Sequence, residues 1–436
     1  MRIIRTAALL IIALALLASA QAQTGADIRS KIQRKGFDQF PISVEDFAIV
    51  FGAATPGDSV LASNLAQIVR NDLSFHIAFE LIPMDSFLLE VLELEIMTKR
   101  AWKFMGAEHL LTGEVEFRGE DVRVRYTLWD LNYMRDIRSD GFKTNRANYR
   151  ALSHAIADDV VKQVTGMKPL FNSKIAFVSS RSENKEIYTC DYDGAGERPV
   201  TSNGSINLSP VWDPKGKSIY YTSYKDKWPE LWRVELSGGT HKKVAAYKGL
   251  NSAAAVSPDN DRICLTLSKD GNAELYLLDI SGNLKRRLTR TRAIESSPSF
   301  GPDGNVIAFS SDRTGSPQVY LMDSDGLNVN RVTYNGNYND SPALSADGSK
   351  IAFVTRTKRG SFDICVVDVT GENFRVITNS GSNENPHWAP DSYHLVYSSR
   401  RGDAYHIYIS DFQGVEKRRI STDGKSSNPY WSPYMW

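Results

Sequence analysis

From residue 174 onward the chain repeats itself. One column of positions holds Pro210, Ala254, Pro298, Pro342, Pro386 and Pro429, spaced 44, 44, 44, 44 and 43 residues apart. A second column, Pro214, Pro258, Pro302, Ala346, Pro390 and Pro433, keeps the same intervals. Two columns in step over more than 200 residues mark a repeat architecture, in which each unit buries its apolar face by stacking on its neighbours.

The repeat from Pro298 shows what one unit contains. Pro298-Ser299-Phe300 is a short strand, and Gly301-Pro302-Asp303-Gly304 is a turn in which Pro presets φ and Gly accepts positive φ. Val306–Ser310 is a second strand and Asp312–Pro317 a polar loop. Val319–Met322 is a third strand, followed by the hairpin turn Asp325-Gly326, and Asn330–Thr333 is a fourth. Four short antiparallel strands in about 44 residues make one propeller blade. An α-solenoid has a similar period, but its helical spacing is missing here and the Pro-Asp-Gly turns oppose it.

The ends of the array predict closure. The first repeat starts at Lys174-Ile175-Ala176-Phe177-Val178, which is a second strand with no first strand before it. The last residues, Asn428–Pro433, are a lone copy of the missing strand. The C-terminus therefore completes the first blade and closes a six-bladed ring over residues 174–436, which leaves no open edge.

Residues 1–22 read as a signal peptide: Arg2 and Arg5, an apolar run over Ala7–Ala18, then small-x-small cleavage sites at Ala18-Ser19-Ala20 and Ala20-Gln21-Ala22. The run is shorter than the about 20 apolar residues a spanning helix needs. Export to the periplasm of a protein that does not span the membrane is the expectation. Residues 23–40 are a flexible segment of mixed charge, with Arg29, Lys31, Arg34 and Lys35 against Asp27 and Asp38. The formal net charge is +1, and no basic run with interleaved aromatics occurs, so no nucleic-acid partner is expected. Cys190, Cys264 and Cys365 fall in three different blades, too far apart to bridge, and are expected as buried thiols.

Residues 41–166 read as a small α/β domain, with 167–173 as a linker. Strands are expected at Val44–Phe51, Phe75–Ile82, Leu110–Phe117 and Val122–Trp129. A helix capped at Asp58 or Ser59 carries Leu61, Leu65, Ile68 and Val69 on one face. Further helices are expected over Phe87–Met105 and Tyr149–Val164, the latter stopped by Gly166. Neither GxGxxG nor GxxxxGK[ST] occurs in this domain.

With these parts placed, nearly the whole chain beyond residue 22 resembles the TolB family, periplasmic propellers of the Tol–Pal envelope system. The resemblance is carried by Pro41-Ile42-Ser43-Val44 with Phe47, Val164-Thr165-Gly166, Ile175–Val178, Asp191-Tyr192-Asp193-Gly194, Leu267-Ser268-Lys269 with Leu275-Tyr276, and the terminal Asn428–Tyr434. It implies a non-enzymatic role: binding of the peptidoglycan-associated lipoprotein Pal through the propeller and of TolA through the start of the mature chain. The system maintains the outer membrane and draws it inward at division. A monomer is expected.

Two rival classes stand beside this one. An enzyme would need a site, yet there is no G-x-S-x-G anywhere, and only His387 lies on or near a first strand, short of the several His a propeller lyase uses to hold metal. Asp191-x-Asp193-Gly194 and Asp323-x-Asp325-Gly326 resemble the start of a calcium loop but lack its Glu at position twelve, and turn chemistry accounts for them. No catalytic residue, metal or other cofactor is expected. A glycan or peptidoglycan binder would use Trp212, Trp388 and Trp431 for stacking; the alternative for aromatics at a repeated position is inter-blade core.

In a four-stranded meander the loops after the second and the fourth strand emerge on one face. The fourth-to-first loops lie nearest the channel and carry the candidate contacts Asn207, Leu250, Asn251, Arg292, Glu295, Tyr334, Asn339, Asn383, Glu384 and Ser427. Outside them, the second-to-third loops form a net basic rim with Lys269, Arg313, Arg359, Arg400 and Arg401. The resemblance implies that Pal docks over this mouth, and steering by rim charge is the expected use of the basic residues.

Overall fold

The computed structural model describes residues 39–51, 55–83, 98–358 and 360–435. The expected signal peptide, nearly all of the segment after it, most of the Phe87–Met105 helix and the rim residue Arg359 lie outside the described residues. Two compact units divide between Thr165 and Gly166.

In the first unit the strands β1 (Phe40–Val44), β2 (Ala48–Phe51), β3 (Phe79–Leu81), β4 (His109–Arg118), β5 (Asp121–Asp130) and β6 (Arg135–Asn145) form one sheet. Its order is β3-β1-β4-β5-β6, with β2 also pairing β4. The strand expected over Val44–Phe51 is thus two. Between them Glu45 accepts from Trp102 Nε1 at 2.7 Å and Asp46 pairs with Arg70 at 2.6 Å, while Phe47 turns inward and is buried. Phe47 lies so close over Gly113 that a Cβ there would sit 2.5 Å from its ring.

Among the described residues the α-helices are α1 (Pro56–Phe75), α2 (Lys99–Phe104) and α3 (Tyr149–Thr165). α1 begins earlier than Asp58: Thr55 is the N-cap, Pro56 opens the helix, and Asp58 closes a capping box onto Thr55. α1 also runs through Phe75, so the expected strand over Phe75–Ile82 keeps only Phe79–Leu81. Leu65, Ile68 and Val69 of α1 and Leu152, Ile156 and Val160 of α3 are buried with Ile42, Leu111, Val115, Val122 and Val124 of the sheet. Each such burial stabilises by about 1.5–3 kcal/mol. α3 ends at Gly166, whose φ is +70°. β6 was missed because its residues are mostly charged and exposed, and it pairs along one side only.

The second unit is six four-stranded antiparallel blades. Their inner strands are Ser426–Trp431 for blade 1, then Asn207–Trp212, Asn251–Val256, Glu295–Phe300, Asn339–Leu344 and Ser382–Trp388 for blades 2 to 6. The terminal strand pairs with Lys174–Ser182, so the C-terminus closes the ring. The joint is tight. Trp431 is 1 % exposed and its Nε1 donates to Ser173 Oγ at 2.7 Å. On the outer side a Cβ on Gly194 of blade 1 would meet the Ile420 carbonyl of blade 6 at 3.0 Å. Blade 3 repeats the device: a Cβ on Gly282 would meet Val244 O at 1.8 Å. The glycines of these hairpin turns therefore serve close blade-to-blade approach as well as chain reversal. Residues 167–173, expected as a linker, are packed at their end: Leu170 and Phe171 are buried, and Phe171 rests on Tyr192, ring centroids 5.3 Å apart.

Trp212, Trp388 and Trp431 are buried between blades and offer no surface for a sugar. The three cysteines are buried and free, and burial raises each thiol, that of Cys365 to about 12. The Asp323-x-Asp325-Gly326 turn is filled by its own chain: Asp323 accepts from Asn328 Nδ2 at 2.6 Å and Asp325 from the Leu327 N–H at 3.0 Å.

Candidate functional site at the channel mouth

Every inner strand breaks its pairing at the same place. Ser209, Ala253, Ser297, Ser341, Asn385 and Asn428 have φ between 49° and 55°, and each lies inside the register shift of its strand. A left-handed residue with a Cβ costs roughly 1–2 kcal/mol. Six in a ring persist because the Pro or Ala that follows and the paired second strand leave the bulge no other course. Together the bulges line a cavity of about 140 Å³ on the propeller axis.

Toward the Pro-Asp-Gly turns the channel widens to about 370 Å³, and Lys168 reaches across to donate from Nζ to Ala346 O at 3.3 Å. The opposite end is the face formed by the fourth-to-first and second-to-third loops.

The structure divides the expected contact residues into two sets. Asn207, Asn251, Glu295 and Asn339 each open an inner strand and Asn383 is the second residue of its own; all five are 0–1 % exposed. Asn207 Nδ2 donates to Glu186 Oε2 at 2.9 Å and its Oδ1 accepts from Ser223 at 2.7 Å. Asn251 Nδ2 donates to Tyr247 O at 2.6 Å, and its Oδ1 accepts the Tyr247 N–H at 2.8 Å. Asn339 donates to Gln318 Oε1 at 2.9 Å and to Asn335 O at 2.8 Å. Asn383 donates to Thr378 and to Ser380 O at 3.0 and 3.1 Å. These side chains hold each loop against the blade before it. They position the mouth and cannot touch a partner, which corrects the expectation for them. Ser427 is half-buried beside the fully buried Ser426, which occupies the equivalent place in the closing strand.

Tyr334 is 72 % exposed, Arg292 and Glu384 are exposed, and Leu250 is half-exposed. Desolvation raises the Glu384 carboxyl. It also raises the Tyr338 phenol, to about 12, with the charges of Asp340 and Glu384 adding to the shift. The mouth carries the carboxyl groups of Asp340 and Glu384 at blades 5 and 6 and the exposed cations of Arg290 and Arg292 on the loop between blades 3 and 4. Three apolar side chains of this face were missed: Trp228, 70 % exposed, Ile294, 55 %, and Ile206, 45 %. Trp228 stands beside Ala246–Gly249 over a groove of about 410 Å³. Its place in the polar run Tyr224–Pro229 was the available signal, because a Trp amid charges has no strand to belong to.

The rim is less free than its charge suggests. In five blades the cation at one position of the repeat, at or just past the end of the second strand, lies on the third strand's ring: Arg181 on Tyr188 at 4.6 Å, Lys225 on Trp232 at 5.3 Å, Lys269 on Tyr276 at 5.2 Å, Arg313 on Tyr320 at 4.8 Å and Arg401 on Tyr408 at 3.9 Å. Blade 5 has Thr357 and Cys365 in these places, so cation and ring are lost together. Arg313 also pairs with the buried Glu295 at 3.1 Å, Lys269 with Asp270 at 2.9 Å, and Arg401 with Glu416. Of the expected rim set, Arg400 stays half in water, with Asp403 at 3.8 Å.

A ring of six closed blades with a small α/β domain before it, and a loop face held rigid from beneath, defines a two-domain propeller protein. The model of the TolB amino-terminal domain matches residues 28–137, and that of the TolB beta propeller domain matches residues 161–435. The chain belongs to the TolB family. It is 37 % identical to a Tol-Pal system protein TolB of Syntrophotalea carbinolica over 48 % of each chain, and 34 % identical to that of Desulfosudis oleivorans over 45 % of each. The chain spans about half the length of the curated relatives it matches. The crystal structure of TolB from Acinetobacter baumannii superimposes with a TM-score of 0.77 at 26 % identity, over 91 % of this chain and 97 % of that one. Among the described residues no helix is long and apolar enough to cross a membrane.

Proposed function

We propose that this chain is a non-enzymatic, periplasmic component of the Tol–Pal system. It binds the lipoprotein Pal over the channel mouth, and TolA through the segment that follows the signal peptide, in support of outer-membrane integrity and of invagination at division. The observation that carries the reading is the mouth itself. Tyr334, Ile294, Ile206 and Trp228 project from loops whose bases are locked by buried Asn and Glu side chains. Exposed aromatic and aliphatic knobs on a preorganised frame are what a protein partner uses as anchors.

The test is binding kinetics with purified Pal. Tyr334→Ala, Leu250→Asp and Ile294→Asp should each raise the dissociation rate by about ten-fold or more. Arg400→Ala should change association alone, and only at low salt. Folded variants that all bind like the parent would move the site elsewhere. Deleting residues 23–38 should abolish capture of TolA and leave Pal binding intact. A pull-down on peptidoglycan, with and without Pal, separates this reading from a glycan binder: retention without Pal would favour the glycan.

A further inference from the structure

The outer strand of blade 3 and the loop after it hold five cations in eight residues: Lys285, Arg286, Arg287, Arg290 and Arg292. Two are satisfied within the blade. Lys285 reaches Asp279 at 2.8 Å, and Arg287 reaches the fully buried Glu274 at 3.1 Å. Arg286, Arg290 and Arg292 are exposed, and none of them pairs with a carboxylate of the described residues. Other blades do not leave such an excess. The outer strand of blade 4 is Asn330-Arg331, and Arg331 donates to Thr333 O at 2.6 Å and lies over the Tyr334 ring at 4.9 Å. In blade 6 Lys417 pairs with Asp411 at 3.5 Å and Arg418 lies over Tyr192 at 5.5 Å, which leaves Arg419 as the one exposed cation of that strand with no carboxylate partner among the described residues. Guarding an outer strand against unwanted pairing takes one charge; three unpaired guanidiniums in seven residues exceed that need.

Their placement is linear. Arg286 stands opposite Leu277 on a strand whose far edge pairs with no other strand. From there the chain passes Arg290 and Arg292 and reaches the channel mouth at Glu295, the start of the next inner strand. At about 3.3 Å per residue the three arginines span at most roughly 20 Å. Exposed Leu284 and Ile294 stand at the two ends.

We propose that this ridge receives an extended acidic segment of the same polypeptide that docks at the channel mouth. The inference rests on the docking reading above for the identity of that polypeptide, and on charge and continuity for the rest. The free guanidiniums supply complementarity to carboxylates in bidentate geometry. The open strand edge suits an extended chain. The ridge joins the mouth without a break in the chain. On the blade 4 side the ridge ends, because Arg331 is held within its own blade, and on the other side the outer strand of blade 2 adds only Lys242, whereas a planar anionic membrane would need free cations across several outer strands.

The experiment uses the full chain and three probes: a labelled deca-glutamate peptide, vesicles containing phosphatidylglycerol, and Pal. The variant is Arg286→Ala/Arg290→Ala/Arg292→Ala, and a control of equal charge change is Arg198→Ala/Lys242→Ala/Arg375→Ala. The ridge variant should lose about ten-fold or more in peptide affinity at low salt, the control about two-fold or less. Pal association should slow by about ten-fold at low salt in the ridge variant and converge with the parent at high salt. Equal loss in both triple variants would overturn the ridge, as would vesicle binding that depends on these arginines while the peptide does not bind. Loss of the peptide with unchanged Pal kinetics would overturn the link to the mouth. Tyr334→Asp serves as the separate check on the docking reading: it should lose Pal and keep the peptide. If the parent itself does not bind Pal, that reading fails while the peptide result still decides the ridge.

Discussion

His387 and Tyr430 lie ring on ring, their centroids 3.6 Å apart, at the joint between blade 6 and the strand that closes blade 1. Both follow the repeated proline, at Pro386 and Pro429, and the four other inner strands carry Val211, Ala255, Ser299 and Ala343 there. The channel wall is thus small-sided around four blades and aromatic at its last seam. Desolvation pushes the imidazole down to about 3, and it pushes the Tyr430 phenol up.

That depression makes His387 a source of acid lability. The folded protein keeps the ring neutral, while the unfolded chain takes up a proton near pH 6.5. Between those values the unfolded state binds more protons, so stability falls as pH falls, by up to about 1.4 kcal/mol per pH unit. Urea unfolding at pH 7, 6 and 5 should show a shallower acid slope for His387→Gln than for the parent. Parallel slopes would place the lability elsewhere.

Removing Ser426–Trp436 should open the ring. The second strand of blade 1 would lose its inner partner, and Trp431 its packing and its bond to Ser173. Trp431→Ala alone should cost about 3–5 kcal/mol. Calorimetry of the truncated chain should show a broader transition at lower temperature. A truncation as cooperative and as stable as the full chain would contradict closure by this strand.

Arg313 reaches a carboxylate that has no access to water. Glu295 is 0 % exposed and also accepts from Thr291 at 2.7 Å and Ser311 at 3.1 Å. Arg313→Ala leaves that charge buried without its cation and should cost about 3–5 kcal/mol. Arg313→Ala/Glu295→Gln should recover a good part of it in a double-mutant cycle on denaturant unfolding. An additive cycle would mean that the two residues do not interact.

The thiols should be silent while the protein is folded. Cys190, Cys264 and Cys365 are buried and unpaired. Iodoacetamide should add three labels to denatured, unreduced protein and none during a brief exposure of native protein, counted by intact mass. One label on the denatured chain would reveal a disulfide.

Much of this molecule was legible before folding was considered in three dimensions. The two proline columns set the number of blades, and the spare Pro429-Tyr430-Trp431 set how the ring closes, because a repeating unit with one apolar face has to stack and an orphan strand has to find its gap. The small domain was read less well. Its edge strand Arg135–Asn145 carries no apolar alternation, and the Thr55 cap lies three residues before the first acidic residue of the helix it starts.

The mouth divides the same way. That the fourth-to-first loops share one face follows from strand count and alternation alone. Which of their residues face water does not, because an Asn that opens a strand reads the same whether it meets a partner or a neighbouring blade. Only the packed ring decides that Asn339 is buried against Gln318 while Tyr334, five residues before it, stands 72 % exposed. Net charge behaves likewise. The sequence counts Arg313 and Arg292 as equals, but burial beside Glu295 uses up the first and leaves the second free, since a cation's availability depends on the carboxylates and rings that folding brings within a few ångströms of it.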